Sequence, residues 1–224
     1  MTAVSLKRLG AFIFFSISSI LAYTQTDSSS FGGKNFVSDG LAGSIYLLKS
    51  GTTALPDFDT MHARGTIYTR EINIPDRSWT QGFPGVTDRF EWFAIDYHGS
   101  FKAKKAGQYI FRLTSDDGSK LFIDGKLLID NDGLHSLNSK TGEMDLDEES
   151  HAIRLEYFQG PRTQLALQLF VKVGDQPEQI FPGNGFTLTT PHEKALTSMW
   201  WIAAIILFLI LLFVIMRRRK KKKS

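Results

Sequence analysis

Cysteine is absent from all 224 residues, which excludes a disulfide framework, a thiolate metal site and a cysteine nucleophile. Any folded domain must therefore rely on its own apolar core, and a stretch of about 150 residues is long enough to bury one. No Asn-x-Ser/Thr sequon occurs, which is compatible with a bacterial source. Gly-x-Ser-x-Gly, His-Glu-x-x-His and a phosphate-binding glycine loop are missing too, so the chain is read as a non-enzyme. The carboxylate pairs Glu143 and Asp147, and Glu148 and Glu149, lie in a hydrophilic stretch beside His151. A solvated acidic surface suits them better than a glycosidase pair.

Positive charge is scarce where it first seems abundant. The formal charge is +3, from 26 Lys and Arg against 23 Asp and Glu. Seven of those cations form the terminal run Arg217 to Lys223 and two, Lys7 and Arg8, stand near the start, which leaves 17 for the rest and a balance of about −6. An acidic middle argues against nucleic acid as a partner.

The two ends differ from the middle in composition. Lys7 and Arg8 precede the apolar run Leu9 to Ala22, the layout of a secretory signal peptide over residues 1–22, with an uncleaved anchor as the alternative. Residues 23–39 are rich in Ser, Gly and Thr and read as a flexible leader. At the far end Met199 to Met216 is apolar without interruption; as a helix it would reach roughly 27 Å, close to the thickness of a bilayer core. Trp200 and Trp201 stand at its outer edge and the basic tail 217–224 follows, so the tail is expected on the cytoplasmic side and the domain outside. The sortase motif Leu-Pro-x-Thr-Gly is missing, which favours a retained single-pass anchor. Residues 187–198 read as a stalk.

Between the ends no amphipathic helix and no internal repeat are evident. Short alternating runs recur instead: Ser44 to Leu48, Thr66 to Ile74, Phe90 to Tyr97, Tyr109 to Thr114, Lys120 to Ile123, Lys126 to Asp130, Ala152 to Phe158 and Leu165 to Val173. The apolar set Leu165, Leu167, Leu169, Val171 and Val173 has the two-residue period of a half-buried strand. Such a pattern predicts an all-β, antiparallel sandwich over residues 40–186. Within it, Phe90, Trp92 and Phe93 read as core, whereas Trp79 is the aromatic best placed for exposure and for stacking on a sugar.

The segment Leu113 to His135, LTSDDGSKLFIDGKLLIDNDGLH, places two carboxylate-bearing turns around one short strand. Adjacent carboxylates on a turn supply two of the six to eight oxygens that calcium takes, so Asp116 and Asp117 are the leading metal candidates. The alternative is that they cap the turn through Asx-type hydrogen bonds. Asp130-Asn131-Asp132-Gly133 lacks the Glu and the flanking helices of an EF-hand. It is read as a loop near the first turn, with His135 beside it as scaffold or ligand.

SDDGSKLFIDGKLLIDNDG, together with LAGSIYLLKSG, GVTDRFEWFAIDYHGSFKAKKAGQYIFRLTSDDG and HAIRLEYFQGPRTQLALQLFVKVG, resembles the protective-antigen PA14 domain family, a β-sandwich module of toxins, glycosidases and fungal adhesins. The resemblance covers roughly two thirds of the chain. It implies a carbohydrate-binding or adhesive module in which an Asp116–Asp117 pair joined by a cis peptide holds calcium, and the calcium holds sugar hydroxyls. It also implies a second loop that completes the site, here Gln159 to Gln164. That loop departs from the adhesin pattern in having no Asp, Glu or Asn. Gln164 and backbone carbonyls are the substitutes; Arg162 would either hydrogen-bond a sugar or pair with Asp116. The other reading of the domain is a metal-free ectodomain that binds or scaffolds another protein of the cell envelope.

Overall fold

The structure, a computed structural model, describes residues 32–87 and 89–191. The expected signal, membrane span and basic tail lie outside these residues, and among the described residues no helix is long and apolar enough to cross a membrane.

Two antiparallel sheets face each other. The first has the order β2 (Gly65–Thr69), β1 (Leu41–Leu47), β4 (Phe93–Ala103), β9 (Ser150–Gln159), β6 (Ser119–Ile123), β7 (Lys126–Asn131), with β12 (Phe186–Thr189) also paired to β4. The second runs β11 (Gln179–Ile180), β10 (Gln164–Val173), β5 (Gly107–Asp116), β8 (Asn138–Leu146), with β3 (Asn73–Ser78) on β10. This is the all-β sandwich that the alternation predicts. Leu165, Leu167, Leu169 and Val171 are wholly buried along β10 and meet Leu121, Leu155 and Ile153 of the opposite sheet in one continuous core. Ring pairs fill its ends: Phe83 stacks on Tyr157 with centroids 5.2 Å apart, and Phe181 meets Phe186 at 5.1 Å. Such pairs add directional attraction to the area they remove from water.

Several elements differ from the sequence reading, each for a visible reason. Thr66 to Ile74 is not one strand but two, because the chain leaves the first sheet after Thr69 and joins the second at Asn73. The fourth strand begins at Phe93 rather than Phe90, since Trp92 adopts φ 54° and interrupts the extended backbone. Phe93 is core, but Phe90 is 41% exposed and Trp92 only half-buried. The strand β8 carries few apolar residues and lies mostly exposed at a sheet edge, so its sequence has no alternation to betray it. Residues 187–189, expected in the stalk, continue β12 against β4. The described part of the expected leader, residues 32–39, is tied in as well. Gly33 bridges Tyr68, and Thr190 holds both Gly40 and Ser38 through hydrogen bonds of 3.0 Å.

Candidate functional site

Strand β5 of the second sheet ends at Asp116 and strand β6 of the first begins at Ser119, so Asp116, Asp117 and Gly118 make the crossing between the sheets. The Asp116–Asp117 peptide is cis. Both residues are almost fully buried, at 3% and 4% exposure, so the pair does not sit free at a strand mouth. Gly118 is required here: a Cβ at this position would come within 2.3 Å of the Phe158 ring.

A polar cradle surrounds the crossing. The Tyr157 hydroxyl lies 2.7 Å from the Asp116 carbonyl and 2.6 Å from Gln159 Oε1. Gln159 Nε2 donates to the carbonyls of Pro161 and Gln164, at 3.3 and 3.0 Å. Ser115 and Ser119 share a hydroxyl contact of 2.7 Å, and Asn131 Nδ2 donates to Ser115 Oγ at 3.0 Å. Ser115, Ser119, Asn131 and Gln159 have no exposed surface. Buried polar groups satisfied in this way fix one arrangement of the turn.

The carboxylates themselves are unequally satisfied. Asp117 accepts from the backbone N–H of Gly160 at 2.8 Å and of His135 at 3.2 Å. Asp116 Oδ1 is buried without any hydrogen-bond partner. Burial, the neighbouring Asp117 charge and Asp76 push the Asp116 carboxyl up to about 6, against smaller opposing pulls from His135 and the Leu137 amide. Burial also raises Asp117, and the Gly160 and His135 N–H groups pull it back. Two buried carboxylates side by side, one with an orphaned oxygen, form an acceptor-rich site that a cation would relieve.

The remaining candidates fall into place around this pair. His135 reaches Asp117 through its backbone N–H, while its ring nitrogens lie 2.9 Å from the carbonyls of Ser136 and Asn131. Its ring is thus engaged as scaffold. Arg162 does not pair with Asp116: its Nε lies 2.9 Å from Glu91 and its guanidinium sits 5.2 Å from the Trp79 ring centre. Trp79 is half-buried between Arg162 and Phe90 rather than presented as a free platform. Gln164 opens β10 with an exposed side chain, and its carbonyl is taken by Gln159. Asp132 anchors Leu55 N–H at 2.8 Å and Lys120 at 3.0 Å, which turns the second acidic cluster away from metal binding. Among the described residues no three His, Asp or Glu side chains converge as a metal cluster. Further ligands to a cation at the pair would be carbonyl or ligand oxygens, as calcium accepts.

Sequence reasoning missed Tyr157 as part of the site, since it was legible only as one beat of an alternation. Gln159 and Gly160 were placed in the closing loop, but the buried amide of one and the N–H contact of the other to Asp117 were not foreseen. A Cβ at Gly160 would meet Leu134 at 2.5 Å and Asp117 Oδ2 at 2.9 Å.

With this geometry described, the model of the PA14 domain matches residues 39–180. The chain belongs to the PA14 domain family. Its similarity to the anti-sigma-I factor RsgI3 of Acetivibrio thermocellus is 26% identity over 116 residues, 49% of this chain and 18% of that protein. Among solved structures, the PA14 domain of the MpAFP antifreeze protein superposes with TM-score 0.55 at 20% identity, over 68% of this chain and 92% of the other. The PA14 sugar-binding domain of an RTX adhesin gives 0.54 at 21% identity, over 65% and 96%. An anti-sigma factor domain-containing protein of Clostridium clariflavum gives 0.56 at 22% identity, over 70% of this PA14 chain and 48% of that chain. The chain therefore spans about a fifth of the curated relative's length and about half of the anti-sigma structure. At these identities the superpositions speak for a shared PA14 fold.

Proposed function

We propose that this PA14 domain is a carbohydrate-binding module held outside a membrane by its C-terminal span, with calcium bound at Asp116 and Asp117. The observation that carries the reading is the buried, unpartnered Oδ1 of Asp116 next to the Asp117 carboxylate. Metal-free, that arrangement keeps two adjacent acids away from water with one acceptor unsatisfied. A hard cation fits the donor set, since both residues offer carboxylate oxygens and the loop Gly160–Gln164 lies against Asp117. When bound, calcium would neutralise the pair and present open coordination positions to vicinal sugar hydroxyls. Leu134, 42% exposed and adjacent to Gly160, offers an apolar contact beside it. The RTX adhesin neighbour is a sugar-binding PA14 domain, which supports the same reading. Sigma-factor control belongs to the named relative, of which this chain covers too little to inherit it.

The membrane anchor rests on the apolar run Met199 to Met216 and the basic tail after it. Protease added to intact cells should remove the domain and spare a tail epitope.

The decisive test of the site is calcium titration of the full-length protein in detergent, followed by thermal unfolding and a glycan array. Calcium should raise the melting temperature, and Asp116→Ala should abolish the rise. An unchanged melting curve, with a blank array and a stoichiometric protein captured by crosslinking, would instead identify a scaffolding ectodomain of the envelope.

A further inference from the structure

The PA14 domain is acidic as a whole: residues 32–191 contain 16 Lys and Arg against 21 Asp and Glu. Two neighbouring clefts reverse that sign. The first, of about 600 Å3, is walled by Lys49, Arg89, Phe90, Trp92 and Arg162, with Glu91 as the one carboxylate of its described lining. The second, of about 470 Å3, lies across Arg89 and carries Lys34 and Arg64, with Leu47 and Val86 as apolar wall and no carboxylate among its described lining. Arg89 belongs to both, so the two clefts adjoin.

The cations are arranged for an external anion. Among the described residues none of Lys34, Lys49, Arg64 and Arg89 forms an ion pair, whereas Arg162 is held by Glu91. Arg89 is fixed in place, because its Nη1 donates to the carbonyls of Leu48 at 3.0 Å and Trp92 at 3.1 Å. A guanidinium positioned by backbone carbonyls keeps its planar edge ready for a carboxylate. Concave walls of one sign concentrate the field more than the same charges scattered on a convex surface.

The aromatic wall speaks for a sugar chain carrying the anions. Phe90 is 41% exposed and Trp92 half-buried beside it, and rings between cations suit alternating apolar faces and carboxylates. The groove is linked to the aspartate pair through one peptide, because Trp92 N–H donates to the Gly160 carbonyl at 3.1 Å while Gly160 N–H holds Asp117.

We propose that these two clefts form one groove that binds an acidic oligosaccharide, a sugar chain bearing carboxylate groups. The proposal rests on the carbohydrate-binding reading above and names the class of sugar. Unlike the aspartate pair, the groove offers anions its own cations, and Glu91, the one carboxylate of its described lining, is held by Arg162.

The test is calorimetric titration of the full-length protein in detergent with three probes: a uronic acid hexasaccharide, the same chain with its carboxylates reduced to alcohols, and a sulfated neutral hexasaccharide. The uronate chain should bind in the presence of a chelator, and the reduced chain about tenfold or more weakly. Lys49→Gln with Arg64→Gln, both at exposed positions, should weaken uronate binding by about tenfold without moving the melting temperature. Equal affinity for uronate and reduced chains, or an unaffected double variant, overturns the groove. Tighter binding of the sulfated chain overturns the carboxylate assignment. Calcium-dependent binding of the reduced chain with no uronate preference removes the groove and leaves the calcium site standing. No binding of any probe, with or without calcium, removes both.

Discussion

The backbone N–H of Gly160 donates to Oδ2 of Asp117 across 2.8 Å, joining loops 43 positions apart in the chain. Together with the His135 amide it favours the Asp117 carboxylate against the burial that raises its pKa, while Asp116 beside it has no comparable support at Oδ1. The site is therefore built by the meeting of three segments: the crossing from β5 to β6, the loop after β9 and the loop after β7.

Gly160→Ala should damage cation binding more than the fold. Its Cβ would press on Leu134 and on the Asp117 carboxylate itself, so one of them must shift. A destabilisation of about 1–3 kcal/mol is expected from such overpacking, with loss of most of the calcium-induced rise in melting temperature. Urea unfolding with and without calcium measures both, and an intact calcium response would refute the role given to this contact.

The metal-free protein should lose stability as pH rises through the window set by Asp116. Its folded carboxyl titrates near 6 against an ordinary 3.8, so between those values the native state binds more protons than the unfolded chain. Stability is then greatest below about pH 4 for this group and falls until about pH 6, by on the order of 1–2 kcal/mol. Asp96 is shifted down, burial being outweighed by its hydrogen bonds to His98 and Arg154, so its own stabilisation is lost mainly as pH falls below about 4 and offsets the gain there. The informative quantity is thus the difference between wild type and Asp116→Asn in chelator. If their stability profiles run parallel from pH 4 to pH 7, Asp116 is not the strained group.

Gln159→Leu should be costly although the residue binds nothing outside the protein. Its amide serves the Tyr157 hydroxyl and the carbonyls of Pro161 and Gln164; each loses one partner, while Tyr157 keeps the Asp116 carbonyl and Pro161 keeps the Thr163 N–H. About 1–3 kcal/mol is expected from the lost bonds in a buried setting. Chemical denaturation reads it, and a loss below about 1 kcal/mol would mean that water replaces the amide.

Arg154→Met tests a second buried charge network, away from the site. Arg154 donates to both Asp96 oxygens, at 2.8 and 3.0 Å, and lies 2.9 Å from Glu156. Those two side chains are only 6% and 9% exposed, so removing the cation leaves Asp96 with His98 alone and takes the nearest cation from Glu156, with a loss of about 1–3 kcal/mol. Adding Asp96→Asn to Arg154→Met should recover part of it. A double variant no more stable than the single one would contradict a charge-based origin.

Much of the fold was legible because strand alternation is a local pattern. Leu165 to Val173 and Ile153 to Tyr157 announced β10 and β9 by period alone, and both are central strands with buried inner faces. The edge strand β8 was silent, since its mostly exposed residues need no apolar set. Asp116 and Asp117 were legible as a pair for the same local reason, being neighbours on a turn. The pairing of Arg162 with Glu91 rather than Asp116 was not legible, because it depends on how two distant loops meet.

By itself the sequence determined the two-sheet class, the turn that holds the aspartates and the apolar and basic runs at the ends, because each is written in adjacent residues. Only the tertiary structure decided that both aspartates are buried, that Gly160 and His135 support one of them, and that Arg89 joins two basic clefts. Burial, orphaned oxygens and concave charge arise from long-range packing, in which the partners of a side chain are set by the closing of the sandwich rather than by its neighbours in the chain.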